Sequence, residues 1–83
     1  MKINASKTDI AIGAFIDTER RLKNVSQQDI ANKLGRSAQS YVSDRINGKK
    51  SWLIGDLDII APMLGLPDAL SLVASALGRY KTN

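Results

Sequence analysis

The residues of this 83-residue chain that could do chemistry are hydrogen-bonding and cationic side chains, which are concentrated between positions 26 and 50. Amides and hydroxyls recur there, and two adjacent lysines, Lys49 and Lys50, close the segment. Such groups bind anions and polar edges but do not cleave bonds unaided. The chain has neither cysteine nor histidine, which excludes disulfides, Cys/His zinc sites, thiol nucleophiles and histidine-dependent triads.

Catalysis by the remaining groups has no support in the sequence. Asp17 and Glu19 are two positions apart on one predicted helix and point to different faces, so we expect no catalytic carboxylate pair. The serines have no base to activate them. We therefore expect no enzyme activity, no cofactor, no metal and no small-molecule ligand.

The charge of the chain is segregated along its length. Residues 20–50 hold eight basic residues against two acidic ones, whereas residues 51–78 hold three aspartates and no base. The overall formal charge is +4. A basic segment beside an acidic one favours a face for a polyanion, although an ordinary solvated surface is the alternative reading.

Helical spacing of apolar residues predicts an all-α fold of five short helices in one domain, 1–83. The first helix should begin near Ser6 or Thr8, and Ser6 followed by Asp9 resembles a capping box. Its core stripe is predicted to contain Ile12, Phe15, Ile16 and, at its end, Leu22.

Two short helices follow, with Ser26 capping the second helix and Gly35 ending it. The third should run from about 38 to 46 and end at Asn47-Gly48. Ala38, Val42 and Ile46 would share its buried face. Its opposite face is polar and contains Gln39, Ser40, Ser43 and Asp44.

Pro62 lies inside the fourth helical pattern, where it predicts a kink or an early stop. The fifth helix should span 68–78, with Asp68 as its N-cap. Trp52 is expected to pack in the core. No apolar run is long enough for a membrane span and no leader is evident, so we expect a cytoplasmic protein with no membrane partner.

Two short helices joined by a glycine turn, with the small Ala31 where they would cross, are typical of a helix-turn-helix, here about 26–47. A helix with a polar, short-chained outer face can enter a major groove about 12 Å wide and contact base edges. The residues alone therefore point toward DNA.

Four segments in order resemble the Cro/repressor-type (XRE, lambda-repressor-like) helix-turn-helix family. They are Ile12-Gly13, Phe15-Ile16 and Arg20, then VSQQDIANKLG at 25–35, QSYVSDRING at 39–48, and LDIIA at 57–61 with Leu64-Gly65. The resemblance covers about residues 12–66. It implies a five-helix lambda-repressor-like DNA-binding domain in which the third helix is the recognition helix.

The resemblance implies two sets of DNA contacts. The base contacts would be Gln39, Ser40, Ser43 and Asp44. The phosphate contacts would be Ser26, Gln27, Gln28, Arg36, Ser37, Tyr41, Asn47, Lys49 and Lys50.

Some assignments stay open at the level of sequence. The span from Gly35 to Val42 is one residue longer than the family pattern, so either the turn is longer or the recognition helix starts early. Tyr41 either packs on the second helix or reaches a phosphate. Asp44 either accepts from cytosine or pairs with Arg45 or Lys33. Arg20 is expected to pair with Asp29 or another acid.

The fifth helix has too many apolar residues for one buried stripe, which predicts a homodimer. The predicted contacts are Leu70, Leu72, Val73, Ala76 and Leu77. A dimer would bind double-stranded DNA at a pseudo-palindromic operator, as a transcriptional regulator. The alternative is an antitoxin-like or anti-repressor-like protein-interaction module on the same fold, without operator readout.

Overall fold

The computed structural model describes the backbone of residues 5–81 and the side chains of residues 5–78. This part of the chain is all-helical and has no strand, so the all-α prediction is confirmed. The helices are α1 (Lys7–Leu22), α2 (Gln27–Lys33), α3 (Ser40–Ile46), α4 (Ile54–Met63) and α5 (Ala69–Lys81). Residues 1–4 and 82–83 of the predicted domain lie outside the described residues.

Reciprocal capping boxes begin both α1 and α2, as predicted. Ser6 Oγ accepts from the Asp9 N–H at 3.1 Å, and the Ser6 N–H donates back to the Asp9 carboxylate at 2.9 Å. Ser26 and Asp29 repeat the arrangement at 3.0 and 2.9 Å. These bonds satisfy main-chain donors that a helix leaves unpaired at its start, which explains why each helix begins where it does.

The turn between α2 and α3 is long, which confirms one of the two alternatives that the sequence left open. Gly35 ends α2 with a φ of +75°, and α3 begins only at Ser40, with Gln39 as its N-cap. The predicted start at 38 is therefore wrong, and Ala38 is exposed instead of buried. The Arg36 N–H donates to Ala31 O at 2.8 Å and closes α2, so residues 36–38 form the turn and cannot belong to α3.

Pro62 stops α4 early, which confirms one of the two predicted outcomes. The helix ends at Met63, one residue after the proline. Asp58 Oδ1 then accepts from the Ala69 N–H at 2.8 Å, and Asp68 Oδ1 accepts from the Ser71 N–H at 2.8 Å. These two carboxylates fix the start of α5 against α4.

The core is formed by one face of each helix. Its largest fully buried side chains are Ile16, Ile30, Val42, Leu57, Ile60 and Leu72. Trp52 is 7% exposed, which confirms the prediction that it packs in the core. Leu22 is 69% exposed, so its predicted place in the α1 stripe is wrong; α1 ends at this residue, beyond the region that the other helices cover.

A close contact between α1 and α3 sets the position of α3. An ideal Cβ at Gly13 would lie 2.8 Å from Ile46 O and 2.9 Å from Arg45 O. These oxygens belong to the backbone at the end of α3, so they cannot rotate away as a side chain would. Only glycine lets the two helices approach this closely.

Asp9 also ties α1 to the segment that enters α4. Its Oδ1 accepts from the Trp52 N–H at 2.8 Å. Burial raises the pKa of the Asp9 carboxyl, but the hydrogen bonds from Ser6 and Trp52 outweigh burial, and the pKa lies below its usual value. The described helices include none with the length and apolarity needed to cross a membrane.

Candidate nucleic-acid interface

The outer face of α3 presents the four residues predicted to contact bases. Gln39 and Ser40 are exposed at its N-terminal end, and Ser43 and Asp44 are half-buried one turn later. Ser43 Oγ donates to Ser40 O at 3.3 Å, which holds the hydroxyl on its own helix. The face therefore offers amide and hydroxyl groups at its beginning and a carboxylate further along.

Gln39 is held in place by Gln27 at the start of α2. The Gln39 amide Nε2 donates to Gln27 Oε1 at 3.2 Å. A carboxamide NH₂ has two hydrogens, so one remains, together with the Gln39 Oε1, for another partner. The bond joins the beginnings of α2 and α3 and orients an exposed amide that would otherwise sample several rotamers.

The other residues predicted at the start of α2 are engaged within the helix. The Ser26 N–H is bonded to the Asp29 carboxylate, so of its polar hydrogens only the hydroxyl proton is available to a phosphate. Gln28 Nε2 donates to Asn32 Oδ1 at 2.9 Å on the same helix. The carboxylate of Asp29 makes this helix end less favourable for an anion than the resemblance implies.

The loop after α3 supplies exposed cations. Asn47, Lys49 and Lys50 are all exposed. Gly48 adopts a φ of +77°, and the Lys49 N–H donates to Asp44 O at 2.8 Å, which closes the helix. The two lysines therefore extend from the end of the helix whose beginning presents Gln39.

The Tyr41 hydroxyl is engaged within the protein. It donates to Asp56 Oδ2 of α4 at 2.6 Å. Because this bond uses the single hydroxyl proton, the phosphate contact implied by the resemblance would require the bond to break, and that contact stays a prediction. Burial raises the pKa of the Tyr41 hydroxyl above its usual 10.0, and the bond to Asp56 raises it further, so the proton stays on the oxygen at neutral pH.

Two arginines stack on the Tyr41 ring. The guanidinium carbon of Arg45 lies 3.7 Å from the ring centroid, and that of Arg36 lies 4.1 Å from it. Both distances are within the range of cation–π attraction. Arg36 Nη2 also donates to the Tyr41 hydroxyl oxygen at 3.3 Å. We call this group of four residues, Arg36, Tyr41, Arg45 and Asp56, the tyrosine cluster.

The predictions for the charged side chains have different outcomes. Arg20 pairs with Asp17 at 2.8 Å, which confirms that it pairs with an acid, although the acid is not Asp29. Among the described residues, none forms an ion pair with Asp44, so its predicted pairing with Arg45 or Lys33 is wrong; Arg45 instead donates to Tyr41 O at 2.9 Å. Ser37 is exposed in the turn before α3.

The predicted dimer contacts on α5 separate into two groups. Leu72 and Ala76 are buried inside the monomer, at 0% and 1% exposure, so their assignment to a dimer contact is wrong. They lie on the face that packs against α1 and α4. Leu70 is 79% exposed, and Val73 and Leu77 are half-buried. A shallow apolar pocket of about 290 Å³ lies here, lined by Ile54, Ala69, Leu70 and Val73.

Within residues 5–78, no group of three or more acidic side chains is placed to hold a metal ion. Comparison of the chain with protein-family models, with curated proteins and with solved structures finds no match in any of the three.

Sequence reasoning missed three features of the interface. They are the Gln27–Gln39 bond, the tyrosine cluster and the close approach at Gly13. A signal existed for the first, because Gln27 and Gln39 follow the predicted starts of two adjacent helices. Nothing in the spacing of Tyr41 and Asp56, fifteen positions apart, indicated their hydrogen bond.

Proposed function

We propose that this protein is a sequence-specific, double-stranded DNA-binding transcriptional regulator that uses α3 as its recognition helix. The observation that carries the proposal is the exposed Gln39 amide, oriented by Gln27 at the start of α3. Glutamine contacts adenine through one N–H and its carbonyl oxygen, and these are the two groups that the bond to Gln27 leaves available.

The charge distribution agrees with a duplex at this face. The basic segment 20–50 contains the end of α1, α2, the turn, α3 and the Lys49-Lys50 loop, whereas 51–78 contains no base. Three of its bases, Arg20, Arg21 and Lys23, pair with acids of α1, and the other five follow α1. Each phosphate neutralised by a lysine or arginine releases condensed counterions, which favours binding. In this helix-turn-helix reading, Asp44 is tolerated because a carboxylate accepts from the amino group of cytosine.

We further propose that the regulator binds as a two-fold dimer through α5. Residues 69–78 of this helix carry no charge, and Leu70 is exposed beside Ile54, itself 73% exposed. Asp68 precedes this stretch, and Arg79 and Lys81 follow it. An antiparallel pair of α5 helices would place the acidic end of each beside the basic end of the other. This complementarity favours a second copy of the chain as the occupant.

The test is selection of binding sites from a random duplex library, followed by titration of the preferred sequence. We expect a pseudo-palindrome with half-sites about 34 Å apart. Gln39→Ala should cost about 1–3 kcal/mol and relax the preference at one base position per half-site. Lys49→Ala should weaken the preferred and random duplexes equally. If Gln39→Ala changes neither affinity nor preference, the proposed reading face is wrong.

A protein-interaction module is the second candidate, and the exposed apolar patch of Ile54 and Leu70 favours it. The double charge reversal Lys49→Glu, Lys50→Glu separates the two candidates. For a DNA-binding regulator it should lower affinity on the order of 100-fold at 0.1 M salt, because two phosphate contacts become repulsive. Unchanged DNA retention by this variant would contradict the proposed phosphate contacts.

A further inference from the structure

The tyrosine cluster lies on the flank of α3 and joins it to both the preceding turn and α4. The Tyr41 ring is enclosed by Arg36 at 4.1 Å and Arg45 at 3.7 Å. Both guanidinium groups are therefore within cation–π distance of the same ring. The ring edge is fixed by the 2.6 Å bond from its hydroxyl to Asp56.

The two arginines differ in what they leave accessible. Arg45 is half-buried, its Nη1 donates to Tyr41 O, and its Nε is buried with no hydrogen-bond partner among the described residues. Arg36 is exposed in the turn before α3, and one of its five N–H groups reaches the Tyr41 hydroxyl. Arg45 is therefore part of the packing between helices, whereas Arg36 presents its remaining N–H groups to solvent.

A directed chain of hydrogen bonds orders Arg36. Arg36 Nη2 donates to the Tyr41 hydroxyl oxygen, and that hydroxyl donates to Asp56 on the first turn of α4. An exposed arginine ordinarily loses much side-chain entropy when it binds a ligand. Stacking and the hydrogen bond restrict the Arg36 side chain before any ligand arrives, which lowers that entropy loss.

From this geometry, and resting on the proposed function, we infer that Tyr41 is a positioning residue that holds Arg36 for contact with a DNA phosphate beside the face presented by Gln39. Tyr41 comes two residues after Gln39, about 200° around the helix. Arg36 is thus drawn toward the flank of α3 near α4 and away from the base-reading amide. The sugar–phosphate backbone borders a helix that lies in the groove, and guanidinium binds phosphate in a planar, two-pronged geometry.

A double-mutant cycle tests the inference in the full chain. We expect Arg36→Ala to weaken binding to the selected and random duplexes alike, about 10-fold at 0.1 M salt, and to reduce the salt-dependence slope by about 0.9. Tyr41→Leu removes the aromatic face and the hydroxyl, and should produce most of the same loss. In the Arg36→Ala background, Tyr41→Leu should cause no further loss.

Two measurements keep the test independent of folding and of total charge. Arg21→Ala removes one exposed cation on α1 and should leave DNA affinity nearly unchanged. In the DNA-free protein, ¹⁵N relaxation of Arg36 Nε should show greater mobility in Tyr41→Leu than in the natural chain, with Tyr41→Phe between them. Circular dichroism and thermal melting identify any variant that fails to fold, and Tyr41→Phe then takes the place of Tyr41→Leu in the cycle.

Each outcome decides one part of the inference. Additive losses in the cycle, or unchanged Arg36 mobility in Tyr41→Leu, would overturn the positioning role while DNA binding itself stands. A loss for Arg36→Ala on the selected duplex alone would show that Arg36 contacts a base and would overturn the phosphate assignment. If the natural chain binds no DNA duplex, the proposed function is wrong. The relaxation measurement then still tests whether Tyr41 orders the Arg36 side chain.

Discussion

The exposed faces of α3 and α5 differ in the groups that they offer to a partner. At the start of α3 stand an oriented amide and a hydroxyl, followed by a half-buried carboxylate. Along α5, residues 69–78 include no charged side chain, and Leu70 is 79% exposed. Hydrogen-bonding groups distinguish partners by direction, whereas apolar area stabilises almost any complementary apolar surface. This difference is why we propose readout for α3 and association for α5.

The largest expected effect comes from disturbing the packing beneath α3. Gly13→Ala places a methyl group about 3 Å or less from two carbonyl oxygens at the end of α3. We expect a loss of about 1–3 kcal/mol in the free energy of unfolding, because backbone must move. Denaturant titration measures it.

Gly55→Ala is the matched control, since an added Cβ there meets nothing within 4 Å. Alanine favours helix over glycine, so this variant should be as stable as the natural chain or more stable. If Gly13→Ala were equally well tolerated, α1 would not be setting the position of α3.

The next effect concerns the apolar face. Leu70→Asp would place a charge in the proposed contact between two α5 helices and should weaken dimerisation by about 2 kcal/mol or more, roughly 30-fold. Sedimentation equilibrium across a range of concentrations measures this. Leu22→Asp is the control, because Leu22 is also exposed, at 69%, but ends α1. Equal sedimentation of the two variants would count against α5 as the contact.

A smaller effect on stability is expected at Asp9. Asp9→Ala removes the α1 capping box and the bond to the Trp52 N–H, which should cost about 1–2 kcal/mol at pH 7. The folded pKa of Asp9 lies below the usual 3.8, so its contribution is present above that pH and declines as pH falls through the folded pKa.

Acid titration of thermal stability therefore checks the sign of this contribution. The natural chain should lose stability below about pH 4, and Asp9→Ala should lose less over the same interval. Asp29, whose pKa is lowered by its bonds from Ser26, remains in both proteins and contributes equally. Parallel acid profiles for the two proteins would show that Asp9 is not the group responsible.

The smallest effect on folding is expected at Ser43. Its hydroxyl bonds only within α3, so Ser43→Ala should change stability by less than about 0.5 kcal/mol. A change in DNA preference without a change in melting temperature would sharpen the assignment of this face to readout. A large loss of stability would mean that Ser43 belongs to the packing instead.

Local signals in the sequence were sufficient to predict most of the helix boundaries. Ser6 and Ser26 cap the beginnings of α1 and α2, and Gly35 and Gly48 follow the ends of α2 and α3. These signals are local because caps and positive φ values depend on only three or four neighbouring residues. The start of α3 was wrong by two residues. The N-cap residue of α3 is Gln39, whose side chain makes no cap hydrogen bond, so this boundary lacks the signal that marks α1 and α2.

Contacts between distant segments were not predictable in this way. The exposure of Gln39 follows from the pattern of α3, but its bond to Gln27 depends on how two helices cross. The same holds for Tyr41, whose partner Asp56 lies on another helix, and for Leu22, which the periodicity placed in the core although no helix covers it. Periodicity reports which face a residue occupies and does not report where the covering surface ends.

Trp52 is the single tryptophan of the chain; the residue is 7% exposed, and its main-chain N–H donates to Asp9. Its fluorescence is therefore an intrinsic optical reporter of whether the beginning of α1 and the entrance to α4 are joined. Its emission should shift to longer wavelength when this junction opens. Stopped-flow fluorescence would therefore measure how fast the junction forms during refolding, without an attached dye.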